Sequence, residues 1–141
     1  MFPGFDYDAM APISIEFGRL AESRDWRRGS KAWRINWHLC MVSEYQILIG
    51  RHANELASWQ GVCKKAGLED DFTSIAQCEK ALDHIRLNIV DLIESWGTDN
   101  VPRRFSNGRD LAKYSMSSGK VYPREAAKKD PILRVLLKQL P

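Results

Sequence analysis

The stretch SIAQCEKALDHIRLNIVDLIESW, Ser74 to Trp96, constrains this chain more than any other part of it. Ile75, Cys78, Leu82, Ile85, Ile89, Leu92 and Trp96 recur at spacings of 3, 4, 3, 4, 3 and 4. That is the a/d repeat of a helix that lays one stripe against its neighbours. Ser74 and Gln77 stand where a capping box opens such a helix, each side chain meeting the other's free backbone amide. Leu87, Val90 and Ile93 add a second apolar flank. The expectation is one helix over 75–96, apolar on two sides, central to its own bundle or shared with a second copy in a homodimer.

The rest of the chain reads as further helices. Pro12 stands at a helix start, with Ile13, Phe17 and Leu20 at i, i+4 and i+7. Ser30 caps a second helix over about 31–49, closed by Gly50, whose face carries Trp33, Trp37, Met41, Tyr45 and Leu48. Such an aromatic stripe belongs to a core. Leu56, Trp59, Val62 and Cys63 share one face of a third helix that ends at Gly67. After the turn-rich GTDNVPRRFSNGRD come RDLAKYSM, REAAKK and a last helix opened by Asp130 and Pro131, with Ile132, Leu133, Leu136, Leu137 and Leu140 as its apolar residues. No strand ladder or repeat is visible. The expected fold is all-α, a single compact bundle of five or six helices around residues 75–96.

With 44% apolar and 28% charged residues in 141, the chain is expected to be one soluble globular domain. The opening MFPGFDYD has neither the basic start nor the apolar run of a secretory signal, and no apolar run is long enough to span a bilayer. Cys40, Cys63 and Cys78 are odd in number and widely spaced, which suggests reduced thiols and an intracellular setting, nucleus or cytoplasm. Charge divides the chain. Residues 1–100, a mildly acidic helical body, hold 11 Lys/Arg against 15 Asp/Glu, whereas the basic segment 101–141 holds 10 against 3. That segment is expected to pack on the same domain.

The basic residues fall in two groups. Arg27, Arg28, Lys31 and Arg34 lie at the start of the second helix. Arg103, Arg104, Arg109, Lys113, Lys120, Arg124, Lys128 and Lys129 form the other, interleaved with Phe105, Tyr114 and Tyr122. Cations mixed with aromatic rings suit phosphate and base contacts, so possible DNA or RNA binding attaches to the C-terminal third and to Arg27 and Arg28. From Glu69 to Trp96, by contrast, seven acids face only Lys80 and Arg86. That charge opposes a phosphate backbone and suits a protein partner, with Glu79, Asp83 and Arg86 as candidate contacts.

Trp59 to Lys80, with W…C…G…TSIAQCEKAL, resembles the second and third helices of Myb/SANT-like domains. That resemblance implies binding of protein tails or DNA in a nuclear, chromatin-associated setting. It departs from the pattern in lacking the regular core tryptophans and in its longer, acidic turn. Over nearly its whole length, through EFGRLAESRDWRRGSKAWR, LASWQGVCKKAGL, SIAQCEKALDHIRLNIVDLIE and YPREAAKKDPILRVLLKQL, the chain is similar to a family of small proteins from ascomycete fungi. The resemblance brings no catalytic or binding residues to carry over. It implies a fungal, intracellular origin and one unit spanning both halves.

Enzyme chemistry finds no constellation here. Zinc asks for closely spaced Cys/His pairs, and the chain has neither C-x-x-C nor a histidine pair at metal-binding spacing. Cys63 and Cys78 sit on apolar helix faces without an orienting base. Asp83 and His84 are adjacent on the expected helix and point apart. No catalytic residue, metal or cofactor is expected. The reading is a non-enzymatic helical interaction module binding a partner protein. The alternatives are nucleic-acid binding through the basic third and a self-assembling subunit built on the 75–96 stripe.

Overall fold

The computed structural model describes Phe2 and residues 4–137. Leu140, expected on the last helix, lies outside the described residues. Eight α-helices follow one another: α1 Ile13–Ser23, α2 Lys31–Leu48, α3 Leu56–Lys65, α4 Ile75–Leu82, α5 Ile89–Ser95, α6 Gly108–Ser118, α7 Arg124–Lys128 and α8 Leu133–Leu137. A single 3-10 turn, Gly50–His52, follows α2. Among the described residues the only β pairing is an isolated bridge between Leu87 and Arg104. The fold class is all-α.

Five helix starts are set by side chains that accept an orphan amide. Ser30 Oγ takes the Trp33 amide at 3.2 Å, Asn88 Oδ1 the Asp91 amide at 3.0 Å and Asn107 Oδ1 the Asp110 amide at 2.8 Å. Asp130 Oδ1 takes the amides of both Ile132 and Leu133 at 2.9 Å. The Ser74 cap is half of the expected box. Its hydroxyl accepts from the Gln77 amide at 3.2 Å, but Gln77 Oε1 turns to Thr73 and accepts from its amide at 2.7 Å.

The single helix over 75–96 is corrected to two. α4 stops at Leu82, where Ile85 donates to Leu82 O at 3.0 Å in a tightened turn. The chain then runs extended through Leu87, with the Phe105 amide donating to Arg86 O at 2.9 Å. Asn88 starts α5 afresh. Its Nδ2 donates to Ser115 Oγ at 2.9 Å and to Lys120 O at 2.8 Å, partners that a mid-helix position would not reach. The break and the three short helices of the C-terminal segment give eight helices where five or six were expected. The apolar stripe survives the break, because Cys78, Leu82, Ile85, Ile89 and Leu92 are all buried. These five residues are therefore buried within the one chain.

The core joins both halves of the sequence. Phe17, Met41, Tyr45, Leu82 and Leu92 share one cluster with Ile132, Leu133 and Leu136. Trp33 and Trp37 stack at 5.4 Å, and Phe17 sets its edge against both rings. Trp37 Nε1 donates to Val121 O at 2.7 Å, and the Tyr45 hydroxyl to Asp130 Oδ1 at 2.8 Å. These two bonds, the second of them buried, tie α2 to the segment beyond residue 101.

Candidate interaction surface

A network of partly buried charged groups gathers along one edge of α5. Asp91 and Glu94, one turn apart, lie on the same side of that helix. Lys120 approaches from the loop after α6, where Gly119 turns the chain at φ 73°. Lys120 Nζ bonds Asp91 Oδ1 at 2.9 Å and Glu94 Oε1 at 3.0 Å. Tyr114 donates to Asp91 Oδ2 at 2.6 Å. The Ser14 amide and hydroxyl both donate to Glu94 Oε2, at 3.0 and 2.6 Å. All four carboxylate oxygens therefore have donors. Burial works against the charge on Lys120, but hydrogen bonds and attraction from the two carboxylates outweigh it and raise its pKa. Burial, the bond to Asp91 and its charge raise that of Tyr114.

This network floors an open groove of about 450 Å³ between the start of α1, α5, the 100–103 loop and α6. Two smaller hollows border Lys120 as well. One, of about 170 Å³, is walled by Ala112, Met116 and Val121; the other, of about 280 Å³, by Ile15, Arg28 and Trp33. Around them Ile15 (59% exposed), Val101 (62%), Met116 (75%) and Val121 (47%) face solvent. Arg28, Arg103 and Arg124 line the same three hollows and are exposed. Gly119 admits Arg28 here, since a Cβ at that position would lie 2.6 Å from Arg28 Nη2.

The expected site residues thus divide. Arg103 and Lys120 line the groove, and Arg28 and Arg124 each line one of the two hollows beside it, with the Arg103 guanidinium over the Phe105 ring at 4.6 Å. Lys120, placed among phosphate contacts by the sequence, has both carboxylates on its ammonium. Arg27, Arg104, Arg109, Lys113, Lys128 and Lys129 are exposed outside the groove, and Lys128 pairs with Glu125 at 3.2 Å. Of the acidic-face candidates, Glu79 is exposed on α4, Asp83 is its half-buried C-cap, and Arg86 donates to Ser106 O at 3.3 Å. Sequence reasoning missed Ser14, Asp91 and Glu94 as site residues, and it set Tyr114 among rings for base contacts, whereas its hydroxyl binds Asp91. The two acids were visible on the polar edge of a helix, but nothing local tied them to a lysine in a distant loop.

Among the described residues no group of three or more His, Cys, Asp or Glu is placed to hold a metal ion. No described helix is long and apolar enough to cross a membrane. No protein-family model matches the chain, and comparison with curated proteins and with solved structures gives no match either.

Proposed function

We propose that the chain is a non-enzymatic interaction module that seats a segment of a partner protein, acidic and apolar in alternation, in the groove over Lys120. One observation carries this reading. The polar floor is saturated by its own partners, while the rim offers exposed apolar side chains interleaved with Arg28, Arg103 and Arg124. A floor whose donors and acceptors hold each other is a poor place for acid–base chemistry. An apolar rim with unlike-charged occupants nearby fits a peptide whose carboxylates meet the arginines while its apolar side chains cover Ile15, Val101 and Met116. The acidic face of α4 is the weaker candidate. None of the exposed large hydrophobic residues among those described lies on it. The likeness of the α3–α4 pair to Myb/SANT-like domains, and with it an intracellular and nuclear setting, belongs to the same proposal.

Nucleic-acid binding is the second reading, favoured by the exposure of Arg104, Arg109, Lys113, Lys128 and Lys129 beyond the groove. Binding of a synthetic peptide alternating Glu with Leu, and of duplex DNA and single-stranded RNA, separates the two by fluorescence anisotropy. The peptide should bind, and Met116→Asp or Val101→Asp should weaken it by about tenfold or more without unfolding the protein. Nucleic acid that binds at moderate salt while the peptide does not would replace the first reading by the second. In that case reversing Arg103, Arg104, Lys128 and Lys129 to Glu should flatten the salt dependence by about one unit per lost phosphate contact, with Gln77→Ala neutral.

A further inference from the structure

Arg103-Arg104-Phe105-Ser106 sets two guanidinium groups two and three residues ahead of a serine hydroxyl. A kinase whose substrate cleft is acidic reads that charge pattern. We propose that Ser106 is a phosphoacceptor for such a basophilic serine kinase, and that the phosphate formed is held at the start of α6 by Arg86 and Arg109.

The geometry supports acceptance. Arg103, Arg104 and Ser106 are all exposed, whereas Phe105 between them is buried against Tyr114 at a ring distance of 5.2 Å. The backbone is extended at Arg104 and bends at Ser106 and Asn107 just ahead of α6. Arg104 pairs across an isolated bridge with Leu87, and Asn107 sits at φ −148°, ψ 161°. Arg104 and Ser106 both face solvent, while the buried Phe105 between them anchors the segment. In the transfer, Ser106 Oγ attacks the γ-phosphorus of a nucleoside triphosphate. The bond to the β-phosphate oxygen breaks, the diphosphate leaves, and the hydroxyl proton passes to the kinase's base.

The product lands where negative charge is welcome. Ser106 immediately precedes Asn107, the N-cap of an eleven-residue helix whose first amides have no intrahelical acceptor. Arg86 Nη1 already donates to Ser106 O at 3.3 Å, and Arg109 lies in the first turn. Asp110 is the opposing acid, and its amide and carboxylate are both engaged by Asn107. A second Arg-Arg-x-Ser, residues 27–30, provides an internal contrast. Ser30 Oγ is taken up capping α2, and Gly29 ahead of it turns at φ 81°, so that copy is not extended.

The test treats the folded protein with a purified basophilic serine kinase and Mg-ATP and follows intact mass. One addition of about 80 Da is expected. It should vanish in Ser106→Ala, persist in Ser30→Ala, and slow by about tenfold or more in Arg103→Gln with Arg104→Gln. Phosphate mapping to Ser30, or labelling of an unfolded peptide spanning 99–110 with none of the folded protein, would overturn the site. For the cradle, 31P NMR should place the second phosphate pKa of the modified protein below that of the same phosphopeptide, with Arg86→Gln or Arg109→Gln moving it back. Equal values in protein and peptide would discard the cradle.

Discussion

Asn88 is only 3% exposed, yet every polar atom of its side chain has a partner: Oδ1 caps α5, and Nδ2 reaches both Ser115 and Lys120 O. Asn88→Ala should therefore cost about 2–3 kcal/mol in urea unfolding, the sum of a lost cap and two abandoned buried acceptors. An apolar replacement such as Asn88→Leu should also destabilise, whereas a continuous 75–96 helix would gain from it. The cysteines give a second test at this scale. Burial, helped by Glu44, pushes the Cys40 thiol up to about 11, and burial with the neighbouring Cys78 pushes Cys63 up to about 12. Both stay protonated near neutrality, so a thiol reagent should label neither until the protein is denatured. Fast native labelling of one of them would mean that its site opens to solvent.

Among the elements, α4 and α5 matter most. Leu82, at the end of α4, and Ile85, within the break, are both buried, and truncating either to Ala should cost about 2–5 kcal/mol by chemical denaturation. A loss under about 1 kcal/mol would contradict a central role for the 75–96 stripe. The spacing of Ile75 through Trp96 announced the inward positions: Cys78, Leu82, Ile85, Ile89 and Leu92 are buried, and Ile75 and Trp96 at the ends are partly buried. It could not announce continuity, because a helix, a turn and a second helix can bury the same residues as one unbroken helix. The signal for the break was Asn88 standing three residues ahead of Asp91, a cap with an acid in the first turn. Caps at Ser30 and Asp130 were legible in the same way, since a cap is written within four residues of sequence. The Lys120 network was not. Its members come from α1, α5, α6 and the loop beyond, and only tertiary packing brings them together.

At the scale of the whole molecule, several buried groups titrate in one direction. Burial, with Asp130 close by, raises the pKa of Tyr45 and of Tyr122; the carboxylates raise that of Lys120 against its burial; Cys40 and Cys63 are raised as well. In each case the folded protein keeps a proton that the unfolded chain releases earlier. Unfolding thus becomes easier as pH climbs past the ordinary values, about 8.5 for cysteine and 10 to 10.4 for tyrosine and lysine. Urea midpoints should hold steady around neutrality and fall from about pH 9 upward; a midpoint that rises there would contradict the burial of these groups. At the acid end the sign reverses for Glu16, whose carboxyl is held below its usual range by the Asp8 amide and Arg19. What it contributes is present above the ordinary glutamate pKa and lost as pH falls through its lowered value.

The two halves of the sequence, one mildly acidic and one basic, meet at the groove, where the acids of α5 are satisfied from within and the arginines are left facing out. The most direct test of that arrangement is an amide-resolved NMR titration of the 15N-labelled protein with the Glu/Leu peptide, repeated with duplex DNA. The expected result is saturable peptide shifts concentrated at Ile15, Val101, Tyr114, Met116, Lys120 and Val121, with little change on α4. Shifts that avoid these residues, or that arise only with DNA and centre on Arg104, Arg109 and Lys113, would contradict it.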